Sequence, residues 1–370
     1  NSTIRLFNSK NLRDTDDTAW DSITIAKTNQ LKFFSGSWTV CDSVTAKDFS
    51  AIAYYFGKKI AYEENVPIGL IQVAVGGSPI ESWIDRYTLE HDDKVVDELT
   101  NWRKSDFFMP WVRERADVNL KNATNTKQRH PYDPCYNFEA GVEVFTKFPI
   151  KGIIWYQGES NNDRPKQYET LFPAFVKQIR EQSNQGDFPF YFFQIAPYNY
   201  NNYAAVNAVN NNSAYLRDAQ RKALAKIPNS GMVVLMDIGE EFNIHPADKA
   251  NGSKRLAYMA LAKTYGLKGF GYESPAYESM TVSGNTVTIK FSGAPNGLTA
   301  YGKPLLLFEV AGANKVFRPA KAVISGGTVV VSSPDVKDPV AVRYAFKDFV
   351  LGDLFSTEGF PVSSFRSDEW

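Results

Sequence analysis

The chain has 370 residues, in which 41 basic and 41 acidic side chains cancel and 43% of residues are hydrophobic. That length points to two or three domains with a large core. The balanced charge, without long runs of one sign, argues against nucleic acid or an anionic membrane surface as partner and for a small or uncharged molecule. Cys41 and Cys135 are the only cysteines, so a disulfide-dense scaffold is excluded, while one bridge or two buried thiols stay equally open. No stretch approaches the ~18 apolar residues of a membrane span, and no charged-then-apolar leader opens the chain. Aromatic residues make up 14%, with 19 Tyr and 7 Trp. Flat rings suit a carbohydrate-handling surface, although core filling accounts for most of them.

Residues 1–48 are polar and irregular, with Trp20 and Trp38 as anchors. Their start, Asn1-Ser2-Thr3-Ile4-Arg5-Leu6-Phe7, is abrupt and reads as cut from a longer precursor. Asp48 is placed to cap a helix from Phe49 to Glu63, in which Ile52, Tyr55, Phe56 and Ile60 recur at helical spacing and after which Asn65 can adopt a left-handed conformation. Pro67 to Val75 is nearly continuous apolar sequence, as expected of a strand covered by helices on both faces, and it runs into Gly76-Gly77-Ser78-Pro79. Residues 86–149 are charged, then rich in Asn, Lys and Pro, with Trp102, Phe107, Phe108 and Trp111 interspersed, and read as an insertion over the site and not as a core unit.

A second strand spans Pro149 to Tyr156. The helix after it carries Tyr168, Leu171, Phe172, Phe175, Val176 and Ile179 on one face, and Pro173 predicts a kink or a late start. Phe188 to Ala196 is a third strand, Leu216 to Lys226 a helix, and Met232 to Asp237 a fourth strand. A last helix with Leu256, Met259, Ala260 and Lys263 ends at Gly266. This alternation predicts a doubly wound parallel sheet over residues 1–269. From 270 to 370 the pattern becomes antiparallel β, with turns at Ser283-Gly284-Asn285 and Gly326-Gly327, a domain that is structural or sugar-binding.

In open α/β sheets ligands bind beyond the carboxyl ends of the strands, which puts Gln157 and Glu159, directly after the second strand, where chemistry is done. Three histidines bound the search for a base near neutral pH. His91 and His130 lie in charged or polar segments and are expected to be exposed. His245 follows the fourth strand through an acidic loop and precedes a helix that Asp248 can cap, so it converges on the same sheet edge as Gln157 and Glu159. No second histidine or cysteine accompanies His245 at metal-ligand spacing, and no phosphate loop or dinucleotide fingerprint follows any strand. Nothing in this reading calls for a metal or a cofactor. Glu159 with Glu240 or Glu241 would satisfy a glycosidase, but a paired-glycine turn and an amide fit acyl transfer better.

Gly76-Gly77-Ser78-Pro79-Ile80-Glu81-Ser82-Trp83, Trp155-Tyr156-Gln157-Gly158-Glu159-Ser160-Asn161, Leu216-Arg217-Asp218-Ala219-Gln220-Arg221, Ile244-His245-Pro246 and the closing Ser363-Ser364-Phe365-Arg366 together resemble the sialate O-acetylesterases, a branch of the SGNH hydrolases. The resemblance implies a flavodoxin-like sheet and a serine esterase that removes acetyl groups from sialic acid through an acyl-enzyme. It assigns His245 as base, Gln157 as side-chain oxyanion donor and Gly77, with Gly76 as the alternative, as backbone donor. It also implies an acetylated sugar as substrate and a secreted or periplasmic location.

Two departures from the family pattern stand out. The block carrying the nucleophilic serine is not among these residues, nor is a Gly-x-Ser-x-Gly elbow, and Ser78 reads as a turn residue. Where the family often shows an acid two residues before the histidine, this chain has Asn243, so Glu159 is the first choice for orienting His245, with Glu240 and Glu241 behind it. The family's first strand is central, and its place is expected to be filled by a preceding segment or a second polypeptide carrying the serine. Within the class an acetylxylan or other polysaccharide O-acetylesterase is the rival reading. Outside it, the rival is a catalytically silent sugar-binding subunit.

Overall fold

The computed structural model describes residues 3–200 and 212–370, so Asn1 and Ser2 of the abrupt start lie outside the described residues. The supposedly irregular opening segment contains an eight-residue strand, β1 (Ile4–Asn11), in which Ile4 and Leu6 are buried and Arg5 faces outward. Its period of two is that of a strand, but polar residues from Asn8 onward blur it. After α1 (Ser22–Asn29), capped by Asp21, two short strands, β2 (Phe34–Ser35) and β3 (Trp38–Val40), pair antiparallel with β1. Trp20 is buried as an anchor should be. Trp38 lies on an edge strand and is 42% exposed.

Helix α2 (Ala51–Glu64) is capped by Ser50, not Asp48, because the Ser50 side chain accepts from Ala53 N at 3.2 Å. Asn65 closes it at φ 51, ψ 42, as its position in the sequence leads one to expect. β4 (Ile68–Val73) then pairs parallel with β1. It is only half-buried along most of its length, unlike the doubly covered strand that its apolar run implies. In the segment 86–149, α3 (Arg86–Glu90) and α4 (Pro110–Asn119) are joined by loops, and Trp102, Phe108, Met109, Val112, Tyr132 and Tyr136 enter the largest core cluster of the molecule.

β5 (Ile153–Trp155) leads into α5 (Pro165–Ser183), which starts with a proline in its first turn and continues through Pro173 without a late start. The six predicted apolar positions of α5 are all buried. β6 (Phe190–Phe193), α6 (Asn212–Leu224), β7 (Ser230–Val233) and α7 (Lys249–Lys263) follow. Asp248 caps α7 by accepting from Asn251 N at 3.0 Å. β5, β6 and β7 form a parallel sheet in that order.

The parallel strands are therefore divided, where the alternation predicts one doubly wound sheet and the resemblance implies a flavodoxin-like one. Among the described residues β4 pairs only with β1, and β5 only with β6. Ladder bonds of alternate residues in a parallel strand point to opposite sides. Ile68 N donates to Thr3 O and Ile153 N to Pro189 O, so the next residues along, Gly69 and Ile154, turn their backbone groups to the open side. The two open edges share neighbours on both faces. Ile68 and Ile154 belong to one core cluster, Val73 and Trp155 to another.

Beyond residue 270 all pairings are antiparallel. β8 (Ala276–Ser283) and β9 (Thr286–Ser292) form the first hairpin, and β10 (Leu298–Thr299), β11 (Phe308–Ala311) and β12 (Phe317–Pro319) follow. β13 (Lys321–Ser325) and β14 (Thr328–Ser332) turn at Gly326-Gly327, and β15 (Ala341–Tyr344), β16 (Phe355–Ser356) and β17 (Phe365–Arg366) close the chain. The strand orders are β13-β14-β9-β8 and β12-β11-β15-β17, with β10 and β16 as a separate pair. Arg366 ties this region to α6 through Asp218 at 3.2 Å. Cys41 and Cys135 are both buried and are not joined in a disulfide, and no helix among the described residues is long and apolar enough to cross a membrane.

Candidate active site

Three segment ends build the site. Beyond β4, Gly77 holds φ +71, and a Cβ there would lie 2.6 Å from Tyr132 Oη and 2.7 Å from the Trp111 ring, so both the backbone and the space require glycine. The turn is held by its carbonyls. Gly76 O accepts from Tyr132 Oη at 2.8 Å and Thr15 Oγ1 at 2.9 Å, and Gly77 O accepts from Ser160 Oγ at 2.9 Å. The Gly77 N–H has no acceptor among the described residues. Ser78 is buried, donating to Val75 O at 2.8 Å and accepting from Trp83 Nε1 at 2.9 Å, the surroundings of a turn residue and not of a nucleophile.

Gln157, two residues past the end of β5, is 9% exposed. Its Nε2 donates to Asn161 Oδ1 at 2.8 Å and to Ser78 O at 3.2 Å, while its Oε1 accepts from Tyr168 Oη at 3.1 Å. Both amide protons are thus engaged, the one toward Ser78 by the longer bond. Gln157 and the Gly77 turn are joined from separate strand ends by this bond and by Ser160.

Glu159 opens a short turn, and burial raises its pKa, against its own and Gly158's backbone amides and the Lys249 ammonium. His245 lies on the exposed loop after β7, with its backbone N–H donating to Asn243 Oδ1 at 3.0 Å. Its ring makes no hydrogen bond among the described residues. Burial of part of the ring, and after it Lys249, lower its pKa. The structure thus brings Glu159 and His245 to the same charge, Lys249, without a hydrogen bond between them. Lys249 sits 5.7 Å from the Tyr156 ring centroid. Burial lowers its pKa, against the pull of Glu159 and Glu240. Tyr156, Pro246, Asp248 and Lys249 line one narrow cleft, which places the loop that carries His245 beside the end of β5.

The alternatives behind Glu159 have other partners. Glu240 accepts from Asn243 Nδ2 at 3.1 Å and from Ala247 N at 2.5 Å, bracing the loop, and Glu241 accepts from Asn199 at 3.4 Å. His91 is exposed and stacked on Tyr87, as expected. His130 is not exposed. It is fully buried between Asn119 Oδ1 at 3.1 Å and Tyr132 N at 3.0 Å, and burial pushes it down to about 3. Its polar neighbours in sequence gave no sign that Trp20 would stack on it. Among the described residues no set of three or more His, Cys, Asp or Glu side chains is grouped to hold a metal ion.

Sequence reasoning missed Lys249, Glu81 and Asn161. Asn161 Nδ2 donates to both Glu81 carboxylate oxygens, at 3.0 and 2.9 Å, and its Oδ1 also accepts from Ile80 N at 3.0 Å. The only available signal was an acid inside the run Pro79-Ile80-Glu81-Ser82-Trp83. The Leu216–Arg221 block is a brace: Gln220 Nε2 donates to Gln157 O at 3.1 Å, and Arg217 reaches Asp348 O at 3.4 Å.

Residues 122–262, which include Gln157, Glu159 and His245, match a family model described as carbohydrate esterase, sialic acid-specific acetylesterase. The sialate O-acetylesterase of Rattus norvegicus is 28% identical over 247 residues, 61% of this chain and 45% of that protein. This chain resembles the sialate O-acetylesterases. The Homo sapiens enzyme of that name is 26% identical over 251 residues, 63% of this chain and 43% of that protein. The chain thus spans less than half the length of these relatives. A solved carbohydrate acetylesterase from Xanthomonas citri matches with a TM-score of 0.76 at 27% identity, covering 100% of this chain and 74% of that one. The likeness to that carbohydrate acetylesterase extends across the Gly77 turn, since it covers the whole chain, whereas the family model begins after the turn.

Proposed function

We propose that this chain forms the base- and oxyanion-bearing part of a carbohydrate O-acetylesterase whose substrate is O-acetylated sialic acid. The observation that carries the reading is the joining of the Gly77 turn to Gln157 across two strand ends, beside a loop that offers an unbonded imidazole. A serine hydroxyl attacks the acetyl carbonyl and gives its proton to His245. The developing oxyanion is held by the Gly77 N–H and by Gln157 Nε2, which exchanges its 3.2 Å bond to Ser78 O for the new acceptor. His245 returns the proton to the departing sugar hydroxyl, and water then releases acetate by the same route. Glu159 acts on the base through Lys249, its carboxylate offsetting the ammonium that lowers the imidazole pKa.

The serine, in this reading, comes from a strand outside these 370 residues, inserted between the open edges of β4 and β5. A secreted or periplasmic location would suit such a substrate. A fluorophosphonate probe tests the arrangement: label on a peptide outside Asn1–Trp370 supports it, and label on Ser78 relocates the nucleophile. Absence of label with retained sugar binding makes the chain a silent sugar-binding subunit. Acetate release from acetylated sialic acid against acetylated xylan decides the substrate.

A further inference from the structure

The residues behind Gln157 form a directed relay. Because an ionised carboxylate only accepts, the end of Asn161 that faces Glu81 must be its NH2 group, so its Oδ1 faces Gln157. The end of Gln157 that faces Asn161 must then be its NH2 group too, and its Oε1 is left to Tyr168. Ile80 N asks the same of Asn161 Oδ1. Glu81, Tyr168 and Asn161 are essentially inaccessible to solvent, so water cannot substitute for any member. We propose that Glu81 is a positioning residue: through Asn161, its carboxylate sets and polarises the Gln157 amide so that Nε2 faces the Gly77 turn. This rests on the reading of Gln157 as oxyanion donor.

The charged and titratable groups that face Glu81 are Glu98, from the turn before Trp102, Asp163, and Tyr168 of α5, with Gln167 of α5 donating to it at 2.6 Å. Burial pushes Glu81 up to about 7, against the bonds from Asn161 and Gln167. Burial also raises Glu98, whose carboxyl oxygens accept no hydrogen bond among the described residues, whereas Glu81 accepts from Asn161 and Gln167, so Glu81 is the one of the two that ionises first. On the acid side of that value the relay loses its ionised acceptor, and turnover falls with little change in KM.

The test is a double-mutant cycle in the full protein with its serine-bearing segment, with melting curves run on every variant. Glu81→Gln is expected to lower kcat about tenfold at pH 8, since a charge-assisted bond becomes a neutral one. It should also remove the acid limb near pH 7 while leaving the His245 imidazole titration, followed by NMR, unmoved. In a Gln157→Ala background Glu81→Gln should change nothing further. Equal losses in both backgrounds, or no loss in either, would overturn the proposal. Should Glu81→Gln fail to fold, Asn161→Ala cuts the same link and enters the same cycle. Near-normal turnover of Gln157→Ala alone would remove the oxyanion reading and this proposal with it, whereas a silent Glu81→Gln beside a crippled Gln157→Ala would remove only this proposal.

Discussion

At the scale of single residues, the Gln157 amide and the Lys249 ammonium govern the proposed chemistry. Gln157→Ala removes one oxyanion donor, and acetate release should fall ~100–1,000-fold with the fold intact. Lys249→Met removes the positive neighbour that, after burial, lowers the His245 pKa, so the imidazole titration followed by NMR should move to higher pH. An unmoved titration would separate Lys249 from His245. The buried carboxyls also tie stability to pH. Glu81 and Glu98 have folded-state pKa values raised from 4.5 to about 7 and about 10, so the folded state binds protons more tightly than the unfolded one. The stability this contributes is complete below about pH 4.5 and is lost as pH rises through about 7 for Glu81, on the order of 3 kcal/mol, and toward about 10 for Glu98. Among the described residues neither Glu98 oxygen accepts a hydrogen bond, so Glu98→Gln should lessen the fall in melting temperature between pH 7 and 9.

At the scale of elements, α2, α5, α6 and α7 were legible, whereas the strand ends and the helices α1, α3 and α4 were not. The apolar face of α5, the Asn65 closure of α2 and the Asp248 cap of α7 follow from periodicity and capping chemistry, which act within one or two turns. Strand β5 shrinks to three residues because its length depends on which neighbours pair with it. The Gly77 turn is the element most sensitive to change. Gly77→Ala adds a Cβ against Tyr132 and Trp111 in a left-handed backbone and should cost about 1–3 kcal/mol in urea unfolding, with activity falling alongside.

At the scale of the whole molecule, the division of the parallel sheet carries the clearest consequence. Exposed strand edges are templates for pairing. A strand inserted there, as proposed, should protect the amides of Ile154 and Gly69 from hydrogen exchange, and these amides should exchange quickly in Asn1–Trp370 alone. Equal exchange with and without the serine-bearing segment would refute insertion at this gap.

The sequence by itself determined the α/β class, the antiparallel end and the three chain regions that meet in the site, because hydrophobic period, turn glycines and motif blocks are local properties. The Gly76–Trp83 and Trp155–Asn161 blocks, with His245, could be named from residues alone. Only the tertiary structure decided that Lys249 stands beside both Glu159 and His245, that Glu81 is buried behind Gln157, and that His130 lies in the core. Those facts rest on contacts between side chains as much as 110 residues apart, such as Trp20 on His130, and on how far packing strips water from a charge. Neither is written in the period of any single segment.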